Sequence, residues 1–202
     1  MRARPVPLLV LHCGAVATVG WPLRAQQEAP QARIALFRIE LPHVPTDSGR
    51  AFAARIADAL ESDATTSATV MAPDEVVRRL EATRHLETWD RVVFTFVTAG
   101  IVDPFDLAAV CESLDVDRIV HVEAAGFVDR GPVHAGGQVL LGTRAALRAW
   151  SFDCRALALA WERWGEGSRS VTASTDIDAA GRVPAAGAVS SAVDALARIV
   201  RP

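Results

Sequence analysis

Residues 118–164, RIVHVEAAGFVDRGPVHAGGQVLLGTRAALRAWSFDCRALALAWERW, decide how this chain folds. The opening part, 118–128, is rich in β-branched and apolar residues and reads as a strand. The glycine- and proline-bearing stretch DRGPVHAGG at 129–137 reads as the loop that turns the chain. A second, long strand follows at 138–152, then a tight turn at 153–156 and a third strand at 157–164. On that third strand Leu157, Leu159 and Trp161 share one face by period-two alternation. Three successive strands with short connections predict an antiparallel meander.

Upstream, the pattern alternates between strands and helices. Residues 33–39 (RIALFRI) are short, apolar and bounded by prolines, which predicts a first strand. Asp47 or Ser48 is placed to cap a helix whose apolar stripe is Phe52, Ile56, Ala59 and Leu60. A short strand at 68–71 ends at Pro73, and 74–82 form a helix burying Val76, Val77 and Leu80. Residues 86–99 carry both signals: VVFTFVT is β-branched, yet Trp89, Val92, Val93 and Phe96 fall on one helical face. The spacing favours helix. The next helix opens with Asp103 as cap, Pro104 at its first position and Asp106 in its first turn. Its core face is Leu107, Val110, Cys111 and Leu114. Downstream, 174–186 read as a small-residue loop and 188–200 as a closing helix with Val189, Val193, Leu196 and Val200 on its stripe. The fold class expected is α/β with α+β character. A mixed sheet ends in a carboxy-terminal meander, and helices pack against it.

The amino terminus reads as an export signal over 1–25. Arg2 and Arg4 give a positive start, 8–20 is apolar apart from His12, and Leu23-Arg24-Ala25 is a cleavage site. The alternative is an uncleaved anchor over 6–23, which is long enough to cross a bilayer. Cys13 is a poor lipidation site, because His12 stands where a small residue is needed. A polar linker at 26–32 leads into one domain over 33–202, and the expected location is periplasmic or extracellular. Without 1–25 the chain carries 18 basic and 24 acidic residues, a net charge of −6. Such a surface is poorly suited to phosphates, so nucleic acid is not an expected partner. Membrane association is expected only through an uncleaved or lipidated amino terminus.

The 202 residues contain no lysine, which removes phosphate-loop and Schiff-base chemistry together. Gly136-Gly137 lacks the spacing of a dinucleotide loop, and neither GxSxG nor HExxH occurs. Asp176 to Gly181 imitates a calcium loop, but Ala180 and Gly187 stand where oxygen ligands belong. His121 and Glu123 share a strand face and read as a surface pair rather than metal ligands. Catalytic, cofactor and metal sites are therefore all expected to be absent. Trp150, with Arg144 and Arg148 on its face, is the candidate for binding a partner, since tryptophan and arginine are enriched at interfaces. The plainer reading is arginine stems lying over apolar strand surface. Cys111 and Cys154 remain after cleavage, and the topology brings both towards one end of the sheet. Whether they bond is left open by the sequence.

Several stretches carry a resemblance. RIALFRI followed by FAARIADAL, a short strand into MAPDEVVRRL, a helix ending in ESLDVDRIVHVEA, and the hairpin LRAWSFDCRALALAWERWGEG resemble a group of bacterial envelope domains. The group comprises the amino-terminal domain of TolB, the curli-secretion lipoprotein and the lipoprotein activators of penicillin-binding proteins. The resemblance implies a mixed sheet with packed helices and a non-catalytic role in binding or assembly at the envelope, with an envelope protein or complex as partner. This chain departs from the lipoproteins in its poor lipidation site and from TolB in having no propeller repeats. The competing readings are a small periplasmic hydrolase built from dispersed Asp, Glu and His, and a structural oligomer.

Overall fold

The computed structural model describes residues 31–37, 46–62, 68–135, 138–173 and 183–200. The expected signal at 1–25, most of its linker and the Asp176–Gly181 loop lie outside the described residues, as does the Gly136-Gly137 turn. The elements are β1 (Ala32–Leu36), α1 (Thr46–Glu61), β2 (Ala68–Met71), α2 (Pro73–Thr83), α3 (Leu86–Ala99) and α4 (Pro104–Leu114). They are followed by β3 (Arg118–Ala135), β4 (Gln138–Asp153), β5 (Ala158–Ala173) and α5 (Val183–Ile199). The strands form one sheet in the order β2-β1-β3-β4-β5. β1 runs parallel to β2 and β3, while β3, β4 and β5 form the antiparallel meander. This is the mixed α/β fold expected from the sequence.

Two apolar layers sandwich the sheet. On one face α1 and α5 supply Phe52, Ile56, Leu60, Val189, Val193 and Leu196 against Val120, Val122, Leu147 and Ala149. On the other, α2, α3 and α4 supply Val76, Leu80, Trp89, Val92, Leu107 and Leu114 against Ile119, Trp150 and Phe152. The helical stripes read from spacing are the buried ones, although Val77, Val93 and Phe96 are only half-buried. The doubtful segment 86–99 is helix α3, because Trp89 and Val92 at helical spacing both reach this core. In α4 the Asp103 carboxylate accepts the backbone N–H of Phe105 at 2.8 Å and of Asp106 at 3.3 Å, meeting two donors with no partner inside the helix.

The boundaries differ from the sequence reading where backbone chemistry was misread. α1 begins at Thr46, so Asp47 and Ser48 lie within its first turn rather than ahead of it. β1 takes in Ala32, and its expected extension through residues 38 and 39 lies outside the described residues. β3 continues to Ala135 through the stretch read as a loop. Pro132, which has no N–H, falls inside the register break between Arg130 and Val133, where the ladder makes no demand on it. β5 extends to Ala173, and Leu157 is not part of it: it sits in the preceding turn with φ 51°.

A further register break, opposite Ser151 and Phe152, sends Leu159 and Trp161 to different faces. Leu159 packs with the α2–α4 layer and Trp161 with the α1–α5 layer, so they do not share the face that alternation assigned. The strand expected to end at Trp164 continues through Gly165 and Gly167, which admit a helix. A Cβ at Gly167 would overlap the backbone of Ala188 and Ala192, and one at Gly165 would lie 2.5 Å from the Ala192 carbonyl oxygen. α5 correspondingly starts five residues earlier than expected, at Val183, with Pro184 in the first turn where a missing N–H costs nothing.

Cys111 on α4 and Cys154 in the β4–β5 turn are joined by a disulfide with Cα atoms 5.7 Å apart. Both lie at the end of the sheet where β3 begins, as the topology required. The bridge closes a loop of 43 residues, which in the chain-entropy model stabilises the fold by about 4 kcal/mol. Replacing both cysteines by alanine should lower the unfolding free energy by about 2–4 kcal/mol in urea titration. Reductant should destabilise the wild type and leave the double variant unchanged.

Candidate interaction face

The meander is longer than the helices that cover it. On the α2–α4 face, cover reaches Trp150 and Phe152, and the next residues of that face, Arg148, Ala146 and Arg144, lie beyond it. Their neighbours on β5 are Trp164 opposite Arg148, Glu166 opposite Ala146 and Ser168 opposite Arg144. Alternation places all of these on one side of the sheet. Val128 and Trp164 are more than or about half exposed there, at 56% and 50%.

Arg148 organises the face. Its guanidinium lies 4.3 Å from the Trp150 ring centroid and 5.2 Å from that of Trp164, a cation–π arrangement on both sides. Its Nη2 and Nε donate to Glu123 Oε1 at 2.7 and 3.2 Å, and its Nη1 is 3.7 Å from Glu162 Oε1. Arg144 pairs with Glu166 further along the same face. The sequence put Arg144, Arg148 and Trp150 together, and the structure places them on one face of β4. Trp150, however, is fully buried and supports the face from beneath. The accessible aromatic is Trp164, which lies opposite Arg148 on β5.

His121 lies beneath this face, not upon it. Its ring stacks on Trp150 at 5.4 Å with 8° between planes, and Trp89 and Phe37 lie at 5.8 and 6.3 Å. Its Nδ1 is shut off from solvent and meets no hydrogen-bond partner. Burial first, and the Arg148 charge second, push its pKa down to about 4. Glu123 is engaged by Arg148, so His121 and Glu123 do not form a surface pair. Among the described residues no three His, Cys, Asp or Glu side chains gather closely enough to hold a metal ion.

One feature escaped the sequence reading. Phe94, Val97, Ile101 and Phe105, from the end of α3 into the first turn of α4, are 69%, 47%, 60% and 86% exposed. The signal was present in the spacing: Phe94 and Val97 fall off the stripe of Trp89, Val92, Val93 and Phe96.

No protein-family model and no curated protein matches this chain. Among solved structures it is similar to a hypothetical protein from Chlamydia trachomatis, with TM-score 0.46 and 13% identity over 84% of this chain and 95% of that one. It is also similar to lipoprotein GNA1162 from Neisseria meningitidis, with TM-score 0.36 and 14% identity over 69% and 83% of the two chains. The LpoB C-terminal domain from Escherichia coli gives TM-score 0.37 and 8% identity over 68% and 83%. The solved structures it resembles thus include bacterial lipoproteins. Overlaps and identities this low leave function to be argued from the residues themselves.

The His121 environment sets a pH dependence. The unfolded imidazole titrates near 6.5 and the folded one at about 4, so between these values only the unfolded chain takes up the proton. Stability contributed by the neutral ring is complete above about pH 6.5 and falls as pH drops towards 4, by up to about 1.4 kcal/mol per pH unit. His121→Phe keeps a ring against Trp150 and removes the titration. Urea unfolding of both proteins from pH 7 to 4 should show the wild type losing stability relative to the variant as pH falls.

Proposed function

We propose that this protein is an exported, non-catalytic interaction module of the cell envelope, which binds a protein partner through the uncovered face of its meander. The observation that carries the reading is the Arg148–Trp164 pair. Arg148 is fixed by Glu123, Glu162 and two indoles, and it holds a half-exposed tryptophan on a flat strand surface. A pre-ordered aromatic–arginine pair loses little side-chain freedom on binding and is typical of interface anchors. Arg144 with Glu166 extends the polar rim of that face. The Cys111–Cys154 bridge supports an oxidising location, as does the charged start and apolar run of 1–25. The resemblance to the TolB, curli-secretion and activator-lipoprotein domains supports the same assignment. No lipid anchor is invoked.

Mass spectrometry of the protein from its native envelope should give a chain starting at or near Gln26; a retained full-length cytoplasmic chain would refute export. A photo-crosslinking amino acid in place of Trp164, in living cells, should give one discrete adduct. The same probe in place of Arg198, on the last turn of α5, should not. Equal labelling from both positions would refute the assignment of this face.

A further inference from the structure

The strand order leaves β5 at one edge of the sheet and the short β2 at the other. β5 has 16 residues, about 50 Å of edge at about 3.3 Å per residue. Among the described strands only β4 lies beside it. Edges of this length are usually blunted by charged side chains that stand away from the strand. Here the charges are drawn back onto the protein itself. Glu162 meets Arg148, Glu166 meets Arg144, Arg163 stacks on Trp161 at 5.6 Å, and the Arg169 stem lies along Gly187. Between these charges the edge is made of Gly165, Gly167, Ser168 and Ser170, none of which obstructs an incoming strand.

We infer that a second copy of this chain pairs along this edge, antiparallel, with Gly165 opposite its own counterpart. Two five-stranded sheets then become one. Pairing of unlike edges would set β5 against β2, which offers only four residues. A symmetric pairing uses the whole of β5 twice and closes on itself.

The charge pattern narrows the register, because like charges directly opposite one another destabilise a strand pair. The length paired decides among those left: centring on Gly167 or Ser168 also opposes no like charges but joins fewer residues than the 158–172 paired about Gly165. Centring the pair on Glu166 sets that carboxylate against itself and Arg163 against Arg169 of the second copy. Centring on Trp164 sets Glu162 against Glu166. Centring on Gly165 opposes no like charges: Glu162 meets Ser168, Trp164 meets Glu166, and Trp161 meets Arg169 in a new cation–π contact. The two-fold axis then stands perpendicular to the sheet. Both Arg148–Trp164 faces look the same way, and the two α5 helices extend one layer behind them. The inference stands on the edge alone, whatever the partner of that face.

Ser168→Glu tests it. In the paired state the new carboxylate faces Glu162 of the second copy, twice by symmetry, while within its own chain it lies across from Arg144 and leaves the fold intact. Sedimentation of the purified protein at up to about 100 μM should show a wild-type dimer. The variant should dimerise about tenfold more weakly at low salt, with an unchanged far-ultraviolet circular dichroism spectrum. Amide exchange within 158–173 should slow as wild-type concentration rises. A wild type that stays monomeric, or a dimer indifferent to Ser168→Glu, overturns the inference. A Trp164 adduct of twice the chain's own mass reports this dimer, so an intact dimer with no Trp164 adduct to a different protein would count against the proposed partner face instead.

Discussion

Four hydrogen bonds converge on Asp117, and the arrangement of the two halves of the sheet depends on them. Its N–H donates to the Arg33 carbonyl at 2.8 Å, and its own carbonyl accepts the Cys154 N–H at 3.0 Å. Its carboxylate accepts the Arg33 N–H at 2.9 Å and the Arg155 guanidinium at 3.2 Å. β1 and β3 share a ladder of only three residue pairs, Ile34 with Arg118 to Leu36 with Val120. So short a parallel ladder is weakly specified by itself, and a slip of one residue would reverse every side chain of β1. Asp117 fixes that register and ties the β4–β5 turn to the same point through Cys154, the residue that carries the disulfide. The Arg33 N–H, and then Arg155, hold its carboxyl below the usual range. Its contribution is therefore present above the unfolded value and is lost as pH falls through the folded one.

The two faces of the meander are built on opposite rules. On the α5 side, side chains are removed so that a helix can touch the strand, at Gly165 and Gly167. On the other side, large side chains are kept, but past Trp150 no described helix lies over them. Arg148 marks the border: one side of its guanidinium meets the buried Trp150, the other the exposed Trp164. A buried cation would need full compensation, and Glu123 and Glu162 supply it at the edge of the core. His121 next to this border is held neutral first by its burial and second by the Arg148 charge.

Helices were legible in the sequence because their stripes repeat over several turns. The range 86–99 was read to the residue despite its β-branched run, since Trp89 to Phe96 had to reach one core. The meander was legible in kind and wrong in extent. Gly131, Pro132, Gly165 and Gly167 are turn residues by composition, yet here they serve a register break and a helix contact, and neither has a local signature. Alternation failed at Leu159 and Trp161 because one inserted residue reverses a face, and nothing in the local pattern announces it. The candidate face was half legible: period two grouped Arg144, Arg148 and Trp150, but only the position of α3 determines that Trp150 is covered. Phe96 of that helix meets the Trp150 ring edge-on at 5.2 Å.

The overrun of the meander has a physical implication for what the molecule does. Residues 142–148 of β4 satisfy their backbone through β3 and β5, but bury apolar surface on one side only. A strand covered on one face contributes less burial per ordered residue than a central one, against the same loss of chain entropy. Such a segment needs its covered face packed closely, and the glycine contacts with α5 provide that. The uncovered face is then free to carry residues chosen for something other than the core. Exposed Val128 and Trp164, with Arg144 and Arg148 between them, contribute little to folding where they stand. On the proposed reading their weight falls on recognition, and the rigidity of the sheet behind them lets it be exerted with little ordering cost.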